Sequence, residues 1–183
     1  MNLTGKIIVS VPSLEDERFF KTVIYMCAHS SEGSMGIIIN KKIDYDLYPD
    51  LLEQLGIDKP LENKKLFIRY GGPVESGRGF VLHSDDLIRK ETLNINKGVA
   101  LTSTAEFFDD LSAGKGPKNS ILALGYAGWK AGQLEDEIIQ NNWMTLSVDN
   151  NFIFDEEVSR KWAEAYKIMG VNPNNLSFKS GNA

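Results

Sequence analysis

The chain has little of what catalysis and export usually draw on. Its 183 residues include one cysteine, Cys27, and two histidines, His29 and His83. A lone cysteine excludes an internal disulfide. Two histidines without paired cysteines fall short of the three or four ligands that a zinc site recruits. No apolar run approaches the roughly 20 residues of a membrane-spanning helix, and residues 7–11 are too few for the core of a secretion signal. Basic charge is scarce as well, with 20 Lys and Arg against 25 Asp and Glu and a net charge of -5. Such a field repels polyanions, and the pairs Lys41-Lys42, Lys64-Lys65, Arg89-Lys90 and Arg160-Lys161 are dispersed among acids. Direct DNA binding is therefore disfavoured. These absences predict a cytoplasmic protein with no membrane span, no metal and no cofactor.

What is present suits one globular domain over residues 1–183, since 42% of the chain is hydrophobic and a chain of this size buries most of its unfolded surface. Residues 172–183 are polar and are expected to be poorly ordered. β-Branched and aromatic runs predict strands over 6–11, 22–29, 35–40, 66–70, 79–83, 99–102, 121–126 and 143–148, with a short one over 152–154. The turn composition of Ser30-Ser31-Glu32-Gly33-Ser34 joins the second and third into a hairpin. Helical spacing marks 48–55, 133–140 and 156–169. Ser103-Thr104-Ala105-Glu106 matches a capping box that would open a helix through Leu111. Few helices and many hairpin-like connections predict an α+β fold with a mixed, mostly antiparallel sheet.

Several constellations could carry chemistry. Strand alternation would put Tyr25, Cys27 and His29 on one face, a geometry open to a metal or to a nucleophile, although a lone cysteine in an apolar strand is usually a core residue. His83-Ser84-Asp85-Asp86 has the residue types of a hydrolase triad without a nucleophile elbow, and His83 bonding a neighbouring loop is the competing structural reading. Gly71-Gly72-Pro73-Val74 with Arg78 offers either a concavity for an anion or a tight turn with Arg78 tied to a local acid. Leu124-Gly125-Tyr126-Ala127-Gly128-Trp129 places aromatics beside glycines, as an interface anchor or as part of the core. Glu135, Asp136 and Glu137 read as a solvated acidic helix face.

Three separated blocks together resemble the YqgE/AlgH family of bacterial proteins. They are Val23-Ile24-Tyr25-Met26-Cys27 with Glu32-Gly33-Ser34-Met35-Gly36-Ile37-Ile38-Ile39-Asn40; Gly71-Gly72-Pro73-Val74 with Arg78-Gly79-Phe80-Val81-Leu82-His83; and Leu124-Gly125-Tyr126-Ala127-Gly128-Trp129 with Gly132-Gln133-Leu134-Glu135. The resemblance implies strands curled into a barrel-like sheet with flanking helices, and for some members an association with transcriptional regulation of alginate production. It brings no catalytic activity. Lys41-Lys42 and Ala28 depart from the family pattern at the end of the hairpin. The expectation is a non-enzymatic interaction or regulatory protein that meets a protein or small molecule through Gly72, Arg78, His83, Tyr126 and Trp129. The alternative is an enzyme, hydrolase-like or thiol-based, centred on His83 or Cys27.

Overall fold

The computed structural model describes residues 2–43, 67–155 and 157–176; the helix expected over 48–55 lies outside them. Nine strands form one sheet in the described residues. They are β1 (Ile7–Ser10), β2 (Val23–Ser30), β3 (Gly33–Ile38), β4 (Phe67–Tyr70), β5 (Val74–His83), β6 (Leu93–Asn96), β7 (Val99–Thr102), β8 (Ser120–Lys130) and β9 (Trp143–Leu146). Their order is β6-β7-β5-β8-β3-β2-β1-β9, with β4 also pairing β8. The β4–β8 pair is parallel and the others are antiparallel. Helices α1 (Ala105–Ser112), α2 (Gln133–Ile139), α3 (Asn150–Phe154) and α4 (Lys161–Ile168) pack on it. The sheet is open: β6 and β9 end the order without pairing each other, so the barrel-like closure is not formed.

Burial follows from the sequence pattern. Ile7, Ile8 and Val9 are all fully buried because apolar side chains alternate to two faces that are both covered. One face carries a core shared across the whole sheet, with Val9, Tyr25, Ile37, Leu82, Leu101 and Ala123 packed under Trp162, Ala165 and Tyr166 of α4. The other face is split. Under α2, Ile8, Ile24, Ile38, Ala127, Leu134 and Trp143 form a second cluster, and under α1, Val81, Leu122 and Leu124 meet Phe107 and Phe108 in a third.

Three expectations change in detail. Residues 152–154 belong to helix α3, which Asp149 caps by accepting the Phe152 N–H at 2.9 Å; three bulky residues satisfy strand and helix patterns equally, and the cap decides. The capping box does not form, because Thr104 occupies the cap without a side-chain bond and Ser103 Oγ accepts instead from Arg78 at 3.0 Å. The last helix begins at Lys161, after a 3-10 turn over Val158–Arg160. Of the polar tail expected over 172–183, residues 177–183 lie outside the described ones, and Pro173–Asn175 form a 3-10 turn with Asn172 accepting from the Asn174 N–H.

Candidate functional site

The three blocks meet along β8. Its first half, Ile121–Leu124, lies between β4 and β5, and its second half, Ala127–Lys130, pairs with β3. Between them Gly125 adopts φ +71. A Cβ there would stand 2.4 Å from the Gly72 carbonyl oxygen and 2.8 Å from that of Val74, so only glycine fits. Gly72, at φ +150, presses equally close: its Cβ would lie 2.1 Å from the Tyr126 carbonyl carbon. The adjoining Gly71 donates to the Leu124 carbonyl and accepts from Ile38 N–H, closing the gap where β4 gives way to β3.

Gly125 also inverts the alternation of β8. Ile121 and Ala123 face the shared core, and so does Tyr126. Leu122 and Leu124 face α1, whereas Ala127 and Trp129 face α2. One extra residue at the crossing shifts the face pattern by one place, as a β-bulge does. Tyr126 and Trp129, three places apart beyond the bulge, point to opposite faces by ordinary alternation.

At the same place β5 leaves β8. Pairing is interrupted between Val74 and Gly79, and Glu75, Ser76, Gly77 and Arg78 stand exposed as an arch. Glu75 has φ +46, a conformation costing a non-glycine residue about 1–3 kcal/mol. Arg78 donates to Glu75 Oε2 and to Ser103 Oγ, each at 3.0 Å, and its guanidinium lies 5.0 Å from the Phe80 ring centre. Phe80 meets half-buried Tyr126 edge-on at 5.6 Å. The expected tie of Arg78 to a local acid is present.

The structure thus brings Gly72, Arg78 and Tyr126 together and sets His83 and Trp129 apart. His83 is fully buried, with Nδ1 2.9 Å from the Ser84 carbonyl oxygen, Nε2 2.8 Å from Thr102 Oγ1, and its ring 4.5 Å from Phe107. Desolvation holds its pKa below the usual histidine value, against the opposing pull of the Ser84 bond and Asp86 and Asp85. Trp129 is 8% exposed and packs edge-on against Trp143 at 6.0 Å. Cys27 is buried, and desolvation pushes its thiol pKa up, so no thiolate nucleophile forms there.

Strand β2 also departs from simple alternation. Its register shifts between Met26 and Ala28, which leaves Tyr25 and Cys27 in the shared core but turns His29 toward α2. His29 Nδ1 lies 2.9 Å from Ser34 Oγ and Nε2 lies 3.4 Å from Glu135 Oε1. Among the described residues no group of three potential ligands could hold a metal ion.

The residue that sequence reasoning missed is Glu137. It accepts both indole N–H groups on Oε2, from Trp129 at 2.9 Å and Trp143 at 2.8 Å, while Gln133 donates to Oε1 at 2.9 Å. Buried indoles seek such an acceptor, and the spacing from Gln133 to Glu137 on α2 was the available signal. The acidic face of α2 is therefore partly a set of clamps.

A family model described as AlgH-like matches residues 7–174. The chain is 46% identical over 189 residues to a UPF0301 protein of Bradyrhizobium diazoefficiens, covering 99% of this chain and 88% of the relative. It is 42% identical to a UPF0301 protein of Rhodospirillum rubrum, covering 99% and 94%. The solution structure of the AlgH protein from Pseudomonas aeruginosa superimposes with a TM-score of 0.80 at 35% identity, covering 100% of this chain and 97% of that one. A crystal structure of a Corynebacterium diphtheriae protein shares the fold, with a TM-score of 0.70 at 18% identity over 92% of this chain and 87% of that one. With its three sequence blocks assembled on one central strand as described, this chain belongs to the AlgH-like family of UPF0301 proteins.

Proposed function

We propose that this protein acts by recognition in the cytoplasm, binding a protein or a small molecule at the β8 crossing through Arg78 and Tyr126, with buried Gly72 setting the backbone beside Tyr126. Trp129 and His83 lie apart from that surface, Trp129 against Trp143 and His83 against Phe107. Any regulatory role, transcriptional control included, passes through this contact and not through a helix set into a DNA groove, for which the acidic net charge of -5 is unsuited. The observation that carries the reading is the exposed arch from Glu75 to Arg78, held in a strained backbone beside half-buried Tyr126. Backbone strain of this kind concentrates where a protein meets ligands. The alternative of a hydrolase or thiol enzyme finds little support at its two centres, because the His83 nitrogens are engaged and Cys27 is enclosed.

The test is a native recovery of bound protein or metabolite, identified by mass spectrometry. The combined Arg78→Ala, Tyr126→Ala variant should lose the bound species, and Lys167→Ala on distant α4 should keep it. Equal recovery by all three chains, with the fold intact, would remove the crossing as the site.

A further inference from the structure

A second concavity lies away from the crossing. Asn119, Asn150, Asn151, Phe152, Phe154 and Asp155 line a cleft of about 400 Å3, within the size range of small-molecule sites. Its wall is held from behind. Phe152 N–H donates to Asp149 Oδ1 at 2.9 Å, and buried Lys161 donates to the Phe152 carbonyl with its ammonium 5.0 Å from the Phe152 ring centre. Asn150 Nδ2 donates to the Lys97 carbonyl at 3.3 Å. Phe152 and Asn150 are therefore fixed before any ligand arrives, which lowers the ordering cost of binding.

Other groups in the lining are uncommitted. The carboxamides of Asn119 and Asn151 make no side-chain hydrogen bond with the described residues. Asp155 uses Oδ1 to accept from Glu157 N–H at 3.0 Å, leaving its second carboxylate oxygen for another donor. A carboxamide donates and accepts at once, as a hydroxyl does, and a carboxylate accepts from hydroxyls. Phenylalanine rings offer an apolar face to the C–H side of a ring. An anion is a poor fit, because Asp155 would repel it and buried Lys161 is already bonded to the Phe152 carbonyl.

We infer that this cleft binds a neutral, hydroxyl-rich ring, such as a sugar or the ribose of an uncharged nucleoside. Asn119 and Asn151 bridge vicinal hydroxyls, Asp155 accepts from one of them, and Phe152 carries the ring face. The site is independent of the recognition surface at the β8 crossing.

The test is an NMR titration of the isotope-labelled full chain with methyl glucopyranoside and with uridine, each run beside its phosphorylated form. The expected result is a saturable shift of the Asn119 and Asn151 side-chain amide signals and of the α3 backbone amides with a neutral probe. Whichever neutral probe binds identifies the source of the ring. Both asparagines are exposed, so the Asn119→Ala, Asn151→Ala variant folds. It should bind at least about fivefold more weakly, the effect of losing one ordinary hydrogen bond. Arg78→Ala with Tyr126→Ala should leave this binding unchanged. The inference is overturned if neither neutral probe gives a saturable shift, if the asparagine variant binds as the native chain does, or if a phosphorylated form binds more tightly than its neutral parent.

Discussion

The two halves of β8 do different work. From Ile121 to Leu124 the strand is flanked on both edges and buried on both faces, and among the described residues its side chains pack into the shared core and the α1 cluster. From Ala127 to Lys130 it pairs with β3, Gly128 and Lys130 are exposed, and Trp129 is held by a polar bond to Glu137. Beyond its backbone pairing on both edges, the first half is stabilised by burial of its side chains and tolerates little change in volume. The second uses directional bonds to anchor α2, so specific pairs matter more there than bulk. The crossing between them, at Gly125, is where backbone departs from regular pairing and where the arch of β5 stands out.

The severest way to break this arrangement is to fill the crossing. Gly125→Val would drive a side chain into the Gly72 and Val74 carbonyls, at a cost of about 3 kcal/mol or more; urea denaturation should show the loss, and a native-like midpoint would refute the tight approach. In the first half, Leu122→Ala should cost about 2–5 kcal/mol by leaving a cavity, read by the same transition. In the second half, Glu137→Leu leaves two indole N–H groups unsatisfied and should cost about 2–3 kcal/mol, whereas Glu137→Gln keeps an acceptor and should cost about 1 kcal/mol. Equal losses for the two Glu137 variants would show that packing, and not the bond, holds α2.

A subtler probe is pH. The folded state keeps His83 below its usual pKa, so it disfavours the proton that the unfolded chain takes up near pH ~6.5. The unfolded state then binds more protons, and stability falls as pH drops through about 6.5 toward the lower folded value. His83→Gln should flatten that slope in thermal melts between about pH 5 and 7, from the free histidine pKa down toward the lower folded value, while leaving the response above pH ~7 unchanged. The smallest effect is expected at the arch. Arg78→Ala should change stability by no more than about 0.5–1 kcal/mol, because its ion pair with Glu75 is exposed on both sides. A far larger loss would mean that the arch is part of the frame and not a surface set aside for contact.

Much of this was legible in advance. The β-branched run over 35–40 marks the strand that β3 forms, and the turn residues at Ser30–Gly33 announce the hairpin that β2 and β3 form. The failures share a cause. Ser103 was assigned to a helix cap, but its hydroxyl is taken by Arg78, 25 residues away. His29 was placed beside Cys27, but a shift of register in β2 turned it to Glu135. Glu137 was read as solvated, but two tryptophans brought close by the sheet both donate to it.

By itself the amino-acid sequence determined most of the elements, though not β6 or the helical state of residues 152–154, together with the side chains that had to be covered and the family, because hydrophobic periodicity, turn chemistry and motif order are properties of neighbouring residues. The folded structure alone decided which face each side chain takes beyond Gly125 and Met26, which partner each polar group finds, and that the sheet stays open. Those outcomes depend on one-residue offsets between strands distant in the chain, and an offset of one place reverses every face after it while leaving the local pattern of the sequence untouched.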